Sequence, residues 1–161
     1  MELDKEEKGK EAEARFKEWL DNHNIPYIYI SQDIENFSTA FKKYFSGKRP
    51  DFIILIPVFG AIFVDVKFRI IDSFYNTLPL DSEDIRKYCS IHSSFNLPIF
   101  FAISNSDIDY SNWYWIPVSK LLSLRLPEHK SSVSEENFCP INLTYFTKIS
   151  NTENINKLFY M

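Results

Sequence analysis

The stretch RPDFIILIPVFGAIFVDVK, residues 49–67, constrains the fold of this chain more than any other. Its two apolar runs are rich in β-branched and aromatic residues, and the PVFG between them contains the proline and glycine that a turn between antiparallel strands uses. We therefore predict a β-hairpin. The hairpin also carries Asp51, Asp65 and Lys67, and charged side chains in what otherwise reads as buried strand need an explanation.

The pairing of the hairpin brings these charges together. If the chain reverses about Val58, residues whose numbers sum to 116 face each other, so Asp51 lies opposite Asp65; a shift of one residue pairs Asp51 with Val66. In either register the carboxylates come within about 5–8 Å of each other. Asp65 and Lys67 are two residues apart and project from one face of the strand.

Two interpretations of this cluster remain open. In the first, the acids are buried, and an ion pair with Lys67, protonation of one acid or a divalent cation offsets their repulsion, since unpaired buried carboxylates cost several kcal/mol. In the second, the cluster is the solvated polar end of a hairpin, and Asp65 pairs with Lys67 on the surface.

Two further segments predict helices. Residues 4–23 carry an apolar stripe at helical spacing, formed by Ala12, Phe16, Trp19 and Leu20. Among the acids of this helix, Glu13 lies closest to the stripe, which places it at the edge of the helix–sheet interface. The segment PLDSEDIRKYCSIHSSF predicts a second helix with Asp81 or Ser82 as its N-cap.

The remaining segments complete a layered α/β domain. PYIYIS predicts a strand, and LPIFFAIS predicts a central strand that is buried on both faces. WYWIPVSKLLSL predicts a short strand and a helical turn, PEHKSSVSEEN a loop, and INLTYFTKI a peripheral strand. Residues 33–47 form a polar connection. The order of these elements predicts one domain over residues 1–161, with a central mixed β-sheet flanked by helices.

Composition and charge narrow the function classes. The sequence is 45% hydrophobic and 17% aromatic, which is typical of a folded chain rather than a disordered one. No apolar stretch approaches the roughly 20 residues that span a bilayer, and the charged N-terminus is unlike a secretory signal, so we expect a cytoplasmic protein without a membrane partner. The sequence contains no GxxxxGK[ST] motif, so no nucleotide cofactor is indicated.

The net charge of -4 argues mildly against non-specific coating of nucleic acid, but it is compatible with a local basic groove. The segment FKKYFSGKRP contains four cations that precede the hairpin acids: Lys42, Lys43, Lys48 and Arg49. They are either phosphate-binding residues or part of a solvated charged loop. The WYW cluster at Trp113–Trp115 either stacks on bases or fills a core.

Taken together, these motifs match a known pattern: GKEAEARFKEWL, then RPD, then DVK, then a helix with KY and the strand LPIFFAIS. The chain resembles the PD-(D/E)xK nuclease superfamily, which is restriction-endonuclease-like in fold with an αβββαβ core. Within it, the pattern is most similar to archaeal-type Holliday junction resolvases and related phage or mobile-element nucleases. The resemblance covers about residues 8–120 and leaves a C-terminal extension over about residues 127–161.

The resemblance implies a catalytic role for each of the charged residues. Asp51 and Asp65 would be metal ligands, Glu13 an outer or direct ligand, and the backbone carbonyl of Val66 would complete the metal shell. Lys67 would orient or deprotonate the attacking water. The implied cofactor is Mg²⁺, for which Mn²⁺ can substitute.

The resemblance also implies a substrate. It implies an endonuclease that cleaves DNA, branched or foreign, and leaves 5′-phosphate and 3′-hydroxyl ends. Many relatives carry a glutamine where this chain has Asp84, four residues before Tyr88, so we assign these two residues an auxiliary role only. Resolvases often act as symmetric dimers, which raises a homodimer as an expectation. Two alternatives stay open: cleavage of RNA by the same site, and a catalytically idle DNA-binding or protein-interaction module.

Overall fold

Two sheets and four α-helices make up the part of the chain that the computed structural model describes, residues 4–30, 37–45, 48–132 and 136–159. The helices are α1 (Lys5–Asn22), α2 (Thr39–Phe45), α3 (Ser82–Phe95) and α4 (Val118–Ser123). The strands are β1 (Tyr27–Tyr29), β2 (Phe52–Ile56), β3 (Gly60–Phe68), β4 (Thr77–Asp81), β5 (Ile99–Ser104), β6 (Asn112–Pro117), β7 (His129–Lys130), β8 (Asn137–Asn142) and β9 (Thr147–Ser150).

The main sheet is mixed. Its strands lie in the order β1-β2-β3-β5-β6-β9, and every neighbouring pair is antiparallel except β3 and β5, which run parallel. A smaller antiparallel sheet has the order β4-β8-β7. Helices cover both faces of the main sheet, so the predicted fold class, a central mixed sheet flanked by helices, is confirmed.

The hairpin forms in the predicted register. Strands β2 and β3 pair Phe52 with Val64 and Ile56 with Gly60, so the numbers of paired residues sum to 116. The turn occupies residues 57–59, and Gly60 has a φ of 101°, a left-handed conformation that glycine adopts without steric cost.

The first helix packs through the predicted stripe. A capping box, in which Glu7 N–H donates to the Asp4 carboxylate and Asp4 N–H donates to Glu7, fixes its start. Its buried residues are Ala12, Phe16, Trp19 and Leu20. The ring of Phe16 lies 5.0–5.5 Å from the rings of Phe52, Trp113 and Trp115, so α1 covers one face of the hairpin and β6.

The opposite face packs against α3, α4 and the smaller sheet. Strand β5 contributes to both cores, because Phe101 and Ile103 join the core under α3 while Ala102 joins the core under α1. All three side chains are fully buried. The prediction of a central strand covered on both faces is therefore confirmed.

The smaller sheet was not predicted from the sequence. Strand β4 occupies the start of PLDSED, and a proline in β4 faces a proline in β8 across the ladder, Pro79 opposite Pro140. Helix α3 then begins at Ser82, with Asp81 as its N-cap as predicted, although the Asp81 side chain makes no capping hydrogen bond. The predicted loop PEHKSSVSEEN contains β7, so that part of the loop prediction is wrong.

Some predictions fall partly outside the described residues. Of the polar connection over 33–47, the structure describes α2 and the residues beside it, while 31–36 and 46–47 lie outside. The segment INLTYFTKI contains the end of β8 and most of β9, and β9 is the edge strand of the main sheet. Among the described residues, no helix combines the length and apolar character needed to cross a membrane.

Candidate active site

The hairpin acids are buried. Asp51 is 7% exposed and Asp65 is 4% exposed, so the interpretation of a solvated hairpin end is wrong. Because Val64 and Val66 face the core under α1, Asp65 between them projects from the opposite face, toward α3. The first interpretation, a buried charge cluster on one face, is the one that the structure adopts.

An open edge of β3 explains how Asp51 is held. Strand β2 begins at Phe52, so β3 has no partner strand on that side beyond Val64. The N–H of Val66 donates instead to Asp51 Oδ2 at 2.8 Å, while Asp51 N–H donates to the Val64 carbonyl at 2.9 Å. The N–H and C=O of one strand residue point to the same side, so the Val66 carbonyl faces this open edge too.

Three carboxylates meet at this edge. Burial raises the pKa of Asp51 far above its usual range, and the neighbouring carboxylates of Asp65 and Glu13 raise it further. Glu13 reaches the edge from α1, and its Oε2 accepts a hydrogen bond from the Tyr29 hydroxyl at 3.0 Å. Burial, followed by the Glu13 charge, raises the pKa of Tyr29 to about 12. The predicted convergence of Glu13 on the hairpin acids is thus present in the structure.

On the α3 side of Asp65, two lysines and a further aspartate form a network of ion pairs. Lys67 Nζ lies 3.5 Å from Asp65 Oδ2 and 2.7 Å from Asp84 Oδ2. Lys48 Nζ lies 3.8 Å from Asp65 Oδ2 and 3.0 Å from Asp84 Oδ1. Asp84, in the first turn of α3, therefore bridges both ammonium groups.

The charges of this network stabilise one another. Burial lowers the pKa of Lys67, but the carboxylates of Asp65 and Asp84 outweigh it, and the pKa is raised above its ordinary value. Burial raises the pKa of Asp84, but Lys67 and Lys48 outweigh it, and the pKa is lowered. Lys67 is therefore an ammonium ion and Asp84 a carboxylate at neutral pH.

Tyr88 lies beneath this network. Its side chain is fully buried, and Lys48 Nζ is 5.9 Å from the centre of its ring. Burial raises the pKa of Tyr88 well above its usual value, and the nearby Asp65 and Asp51 raise it further. The phenol therefore stays protonated beside the acids. Both auxiliary residues proposed from the sequence, Asp84 and Tyr88, are next to the hairpin charges.

A cavity of about 870 Å³ is lined by the three carboxylates at the edge of β3 and by Lys48, Lys67 and Asp84 of the ion-pair network. Lys48 and Arg49 line it, as predicted for the basic segment. The other two predicted cations, Lys42 and Lys43, are exposed on α2 and are not among the lining residues. Three further cations, which the sequence motifs do not single out, also line the cavity, namely Lys5, Lys8 and Arg69. The first two are one turn apart on α1, and Arg69 ends the DVKFR run as the residue that follows β3.

The donor set fits a divalent ion of the Mg²⁺ type. Among the described residues, no three or more His, Cys, Asp or Glu side chains form a ready-made metal site. Two aspartates and a main-chain carbonyl nevertheless meet the needs of Mg²⁺, which binds one or two carboxylates and keeps several waters or phosphate oxygens. Within the part of the chain that the structure describes, the buried Asp65 Oδ2 accepts no hydrogen bond and has only the longer ion-pair contacts to Lys67 and Lys48, so it can still bind a cation.

The tryptophans of the WYW cluster are structural. Trp113 and Trp115 are fully buried and pack against Phe16 of α1. Of the two interpretations of this cluster, the core interpretation is therefore correct.

Comparison with known proteins agrees with this architecture. No family model and no curated protein matches the sequence. In structure the chain is similar to Hjc, a Holliday junction resolvase from the archaeal hyperthermophile Archaeoglobus fulgidus, with a TM-score of 0.51 and 16% identity over 88% of this chain and 92% of that chain. A nuclease from a fusellovirus aligns with a TM-score of 0.46 and 11% identity, over 90% of this chain and 81% of the other. The chain therefore shares the fold of the archaeal resolvase, and the fold that its sequence motifs predict is confirmed.

Proposed function

We propose that the protein is a metal-dependent endonuclease that hydrolyses phosphodiester bonds in DNA. The observation that carries this proposal is the pairing of two buried aspartates, Asp51 and Asp65, at the open edge of β3, with a lysine 3.5 Å from the second. A buried cluster of this kind is costly to fold unless a cation or a charged substrate uses it. The nuclease fold of the chain is compatible with that use.

In this proposal Mg²⁺, or Mn²⁺ in its place, is held by Asp51, Asp65 and the Val66 carbonyl. Glu13, whose Oε2 also accepts a hydrogen bond from the Tyr29 hydroxyl, binds the ion directly or through a water. When bound, such an ion lowers the pKa of a water and stabilises negative charge on the phosphate and leaving oxygens. By fixing where the ion would lie, Asp51 and Asp65 would position the scissile phosphate beside it.

Lys67 supplies a fixed positive charge in this proposal rather than a base. Its pKa is raised, and its ammonium is anchored by Asp84 at 2.7 Å, so it holds its proton at neutral pH. An ammonium at this place donates hydrogen bonds to the attacking water or to a phosphate oxygen, and it stabilises the charge that develops there. Asp84 positions Lys67 and takes no part in the bond changes.

The basic rim brings the DNA backbone to the acids. Five cations line the cavity, namely Lys5, Lys8, Lys48, Arg49 and Arg69. These cations supply local phosphate contacts despite the net charge of -4. We keep branched or foreign DNA as the expected substrate, with RNA cleavage by the same site as the second candidate.

Purified wild type is incubated with plasmid, linear duplex, branched DNA, single-stranded DNA and RNA, each with Mg²⁺, Mn²⁺ or EDTA. We expect cleavage of DNA with either ion and none with EDTA. Asp65→Asn and Lys67→Ala are tested beside the control Asp107→Asn, which changes an exposed aspartate in the turn Ser106–Ile108. The first two should lose at least about a hundredfold in rate, the scale of removing one group that stabilises the transition state, and the control should retain activity.

The outcomes separate the candidate functions. Cleavage restricted to RNA would move the activity to the second candidate. If wild type, Asp65→Asn and Lys67→Ala behave alike on every substrate, the nuclease proposal is wrong, and if none of the three cleaves any substrate, the chain is an idle module. Binding of DNA without cleavage under any ion would identify that module as a DNA-binding one.

A further inference from the structure

The outer face of the smaller sheet forms a second groove, which opens into the candidate active site. The groove has a volume of about 1080 Å³, slightly above the range of about 300–1,000 Å³ that small-ligand sites occupy. Four residues line both cavities: Lys5, Arg69, Ile70 and Asp81. A strand of nucleic acid with a phosphodiester at the hairpin acids would therefore continue directly into this groove.

The floor of the groove is apolar and aromatic because of the alternation along β4 and β8. Leu78, Leu80, Cys139 and Ile141 are buried beneath the sheet. The residues between them face outward and line the groove, namely Pro79, Phe138 and Pro140. His129 of β7 pairs with Phe138 across the ladder, and their rings lie 5.8 Å apart at 30°.

A fixed turn presents a further aromatic ring at the rim. The carboxylate of Asp72 accepts hydrogen bonds from the N–H groups of Phe74 and Tyr75, at 3.0 and 3.1 Å. Tyr75 lines the groove and is 69% exposed. Phe74 packs edge-on against it, with ring centres 4.7 Å apart. This arrangement keeps Tyr75 extended toward the groove at low entropic cost on binding.

The acids of the groove are already engaged. Asp81 pairs with Arg69 at 3.2 Å, and Glu136 pairs with Lys5 at 3.0 Å. The surface that remains is a set of rings and prolines with a few compensated charges. Such a surface suits the flat faces of bases better than it suits a phosphate backbone.

We propose that this groove binds unpaired bases of a single-stranded DNA segment next to the cleaved phosphodiester, which stack on Tyr75, His129 and Phe138. The substrate class is then a duplex with a single-stranded tail or flap. The inference rests on the proposed nuclease function for the placement of the cleaved bond. Stacking tolerates any sequence, because every base has an aromatic face, so the groove selects the form of the DNA and not its sequence.

Fluorescence anisotropy in EDTA tests the groove without cleavage. Three labelled DNAs are used: a blunt duplex, the same duplex with a single-stranded tail, and the tail alone. We expect the tail to tighten binding of the duplex at least about fivefold, and the double variant Tyr75→Ala, His129→Ala to remove that gain while binding of the blunt duplex is unchanged. Tyr145→Ala, which changes an exposed tyrosine outside the groove, should retain the gain.

Three results would overturn the inference. They are equal affinity for tailed and blunt duplexes, a loss of the tail's effect in Tyr145→Ala as large as in the groove variant, and dissociation of a dimer by the groove substitutions. The last result, measured by sedimentation, would identify the groove as an interface between copies of the chain. Cleavage of the blunt duplex with Mg²⁺ is measured separately. If the protein cleaves DNA but the tail does not tighten binding, the proposal for the groove is wrong and the proposed nuclease function is unaffected. If the tail tightens binding but no ion supports cleavage, the nuclease proposal is wrong and single-strand binding by the groove is retained.

Discussion

Lys67 Nζ lies 2.7 Å from Asp84 Oδ2, so the lysine of the hairpin is held by the first turn of α3. The carboxylate of Asp84 bridges the ammonium groups of Lys67 and Lys48. Within this network two ammonium groups balance two carboxylates, those of Asp65 and Asp84. This balance leads to predictions that differ for Asp84 and for the hairpin acids.

Removing the charge of Asp84 should slow cleavage without weakening the metal site. In Asp84→Asn we expect kcat on duplex DNA to fall about tenfold, because a charge-assisted hydrogen bond of about 1.5–3 kcal/mol no longer fixes the Lys67 ammonium. KM for DNA and the Mg²⁺ concentration for half-maximal rate should change less than about twofold. Glu83→Gln is the matched control, since Glu83 is in the same turn, is largely exposed and pairs with Lys87. An equal loss in both variants would remove Asp84 from its positioning role.

The same ion pairs predict a stability change in acid. Although burial raises the pKa of Asp84, Lys67 and Lys48 lower it below the ordinary value of about 4, so its contribution is fully present above about pH 4 and is lost as pH falls through the folded pKa. Urea unfolding in EDTA from pH 6 to pH 2 should show wild type more stable than Asp84→Asn near neutrality. The two curves should converge below about pH 4. A constant difference across the range would contradict the assignment.

The packing of α1 predicts a large and local stability effect. Phe16 is fully buried and contacts Trp19, Phe52, Trp113 and Trp115. Phe16→Ala should lower the free energy of unfolding by about 3–5 kcal/mol, through lost burial and the cavity that remains. Phe74→Ala changes a ring that is 85% exposed and should stay within about 0.5 kcal/mol of wild type. Similar losses in both variants, measured by urea unfolding, would show that α1 does not form the core contact described.

Metal addition should stabilise the folded protein through the two aspartates. Mg²⁺ at about 100 times its dissociation constant should raise the unfolding free energy by about 2.7 kcal/mol, and thermal denaturation should shift upward accordingly. Asp51→Asn and Asp65→Asn should lose this shift, and Asp107→Asn should keep it. If Mg²⁺ raises the melting temperature of all three variants equally, the ion binds elsewhere.

Much of the site could be predicted from the sequence because local geometry fixes it. A hairpin in which the numbers of paired residues sum to 116 brings Asp51 opposite Asp65, and the alternation of side chains along β3 puts Lys67 on the same face as Asp65. The helical spacing of the α1 stripe placed Glu13 at the interface. Each of these arguments needs only the period of one element or the reversal of one hairpin.

The remainder depends on long-range pairing that no local period encodes. The smaller sheet contains Pro79 and Pro140, residues that normally argue against a strand, and β7 is two residues long. The ion pairs of Asp84 arise because β4 leads directly into α3, and the first turn of α3 lies beside Lys67 near the end of β3. The contribution of Lys8 and Arg69 to the cavity follows from the same packing of elements that are distant in sequence.

The most direct test of the proposed activity is Mg²⁺-dependent nicking of supercoiled plasmid by wild type and Asp65→Asn at equal concentration. We expect wild type to convert the plasmid with Mg²⁺ and not with EDTA, and Asp65→Asn, although folded by circular dichroism, to be at least about a hundredfold slower. An Asp65→Asn variant that nicks the plasmid at the wild-type rate, or a wild type as active in EDTA as in Mg²⁺, would contradict it.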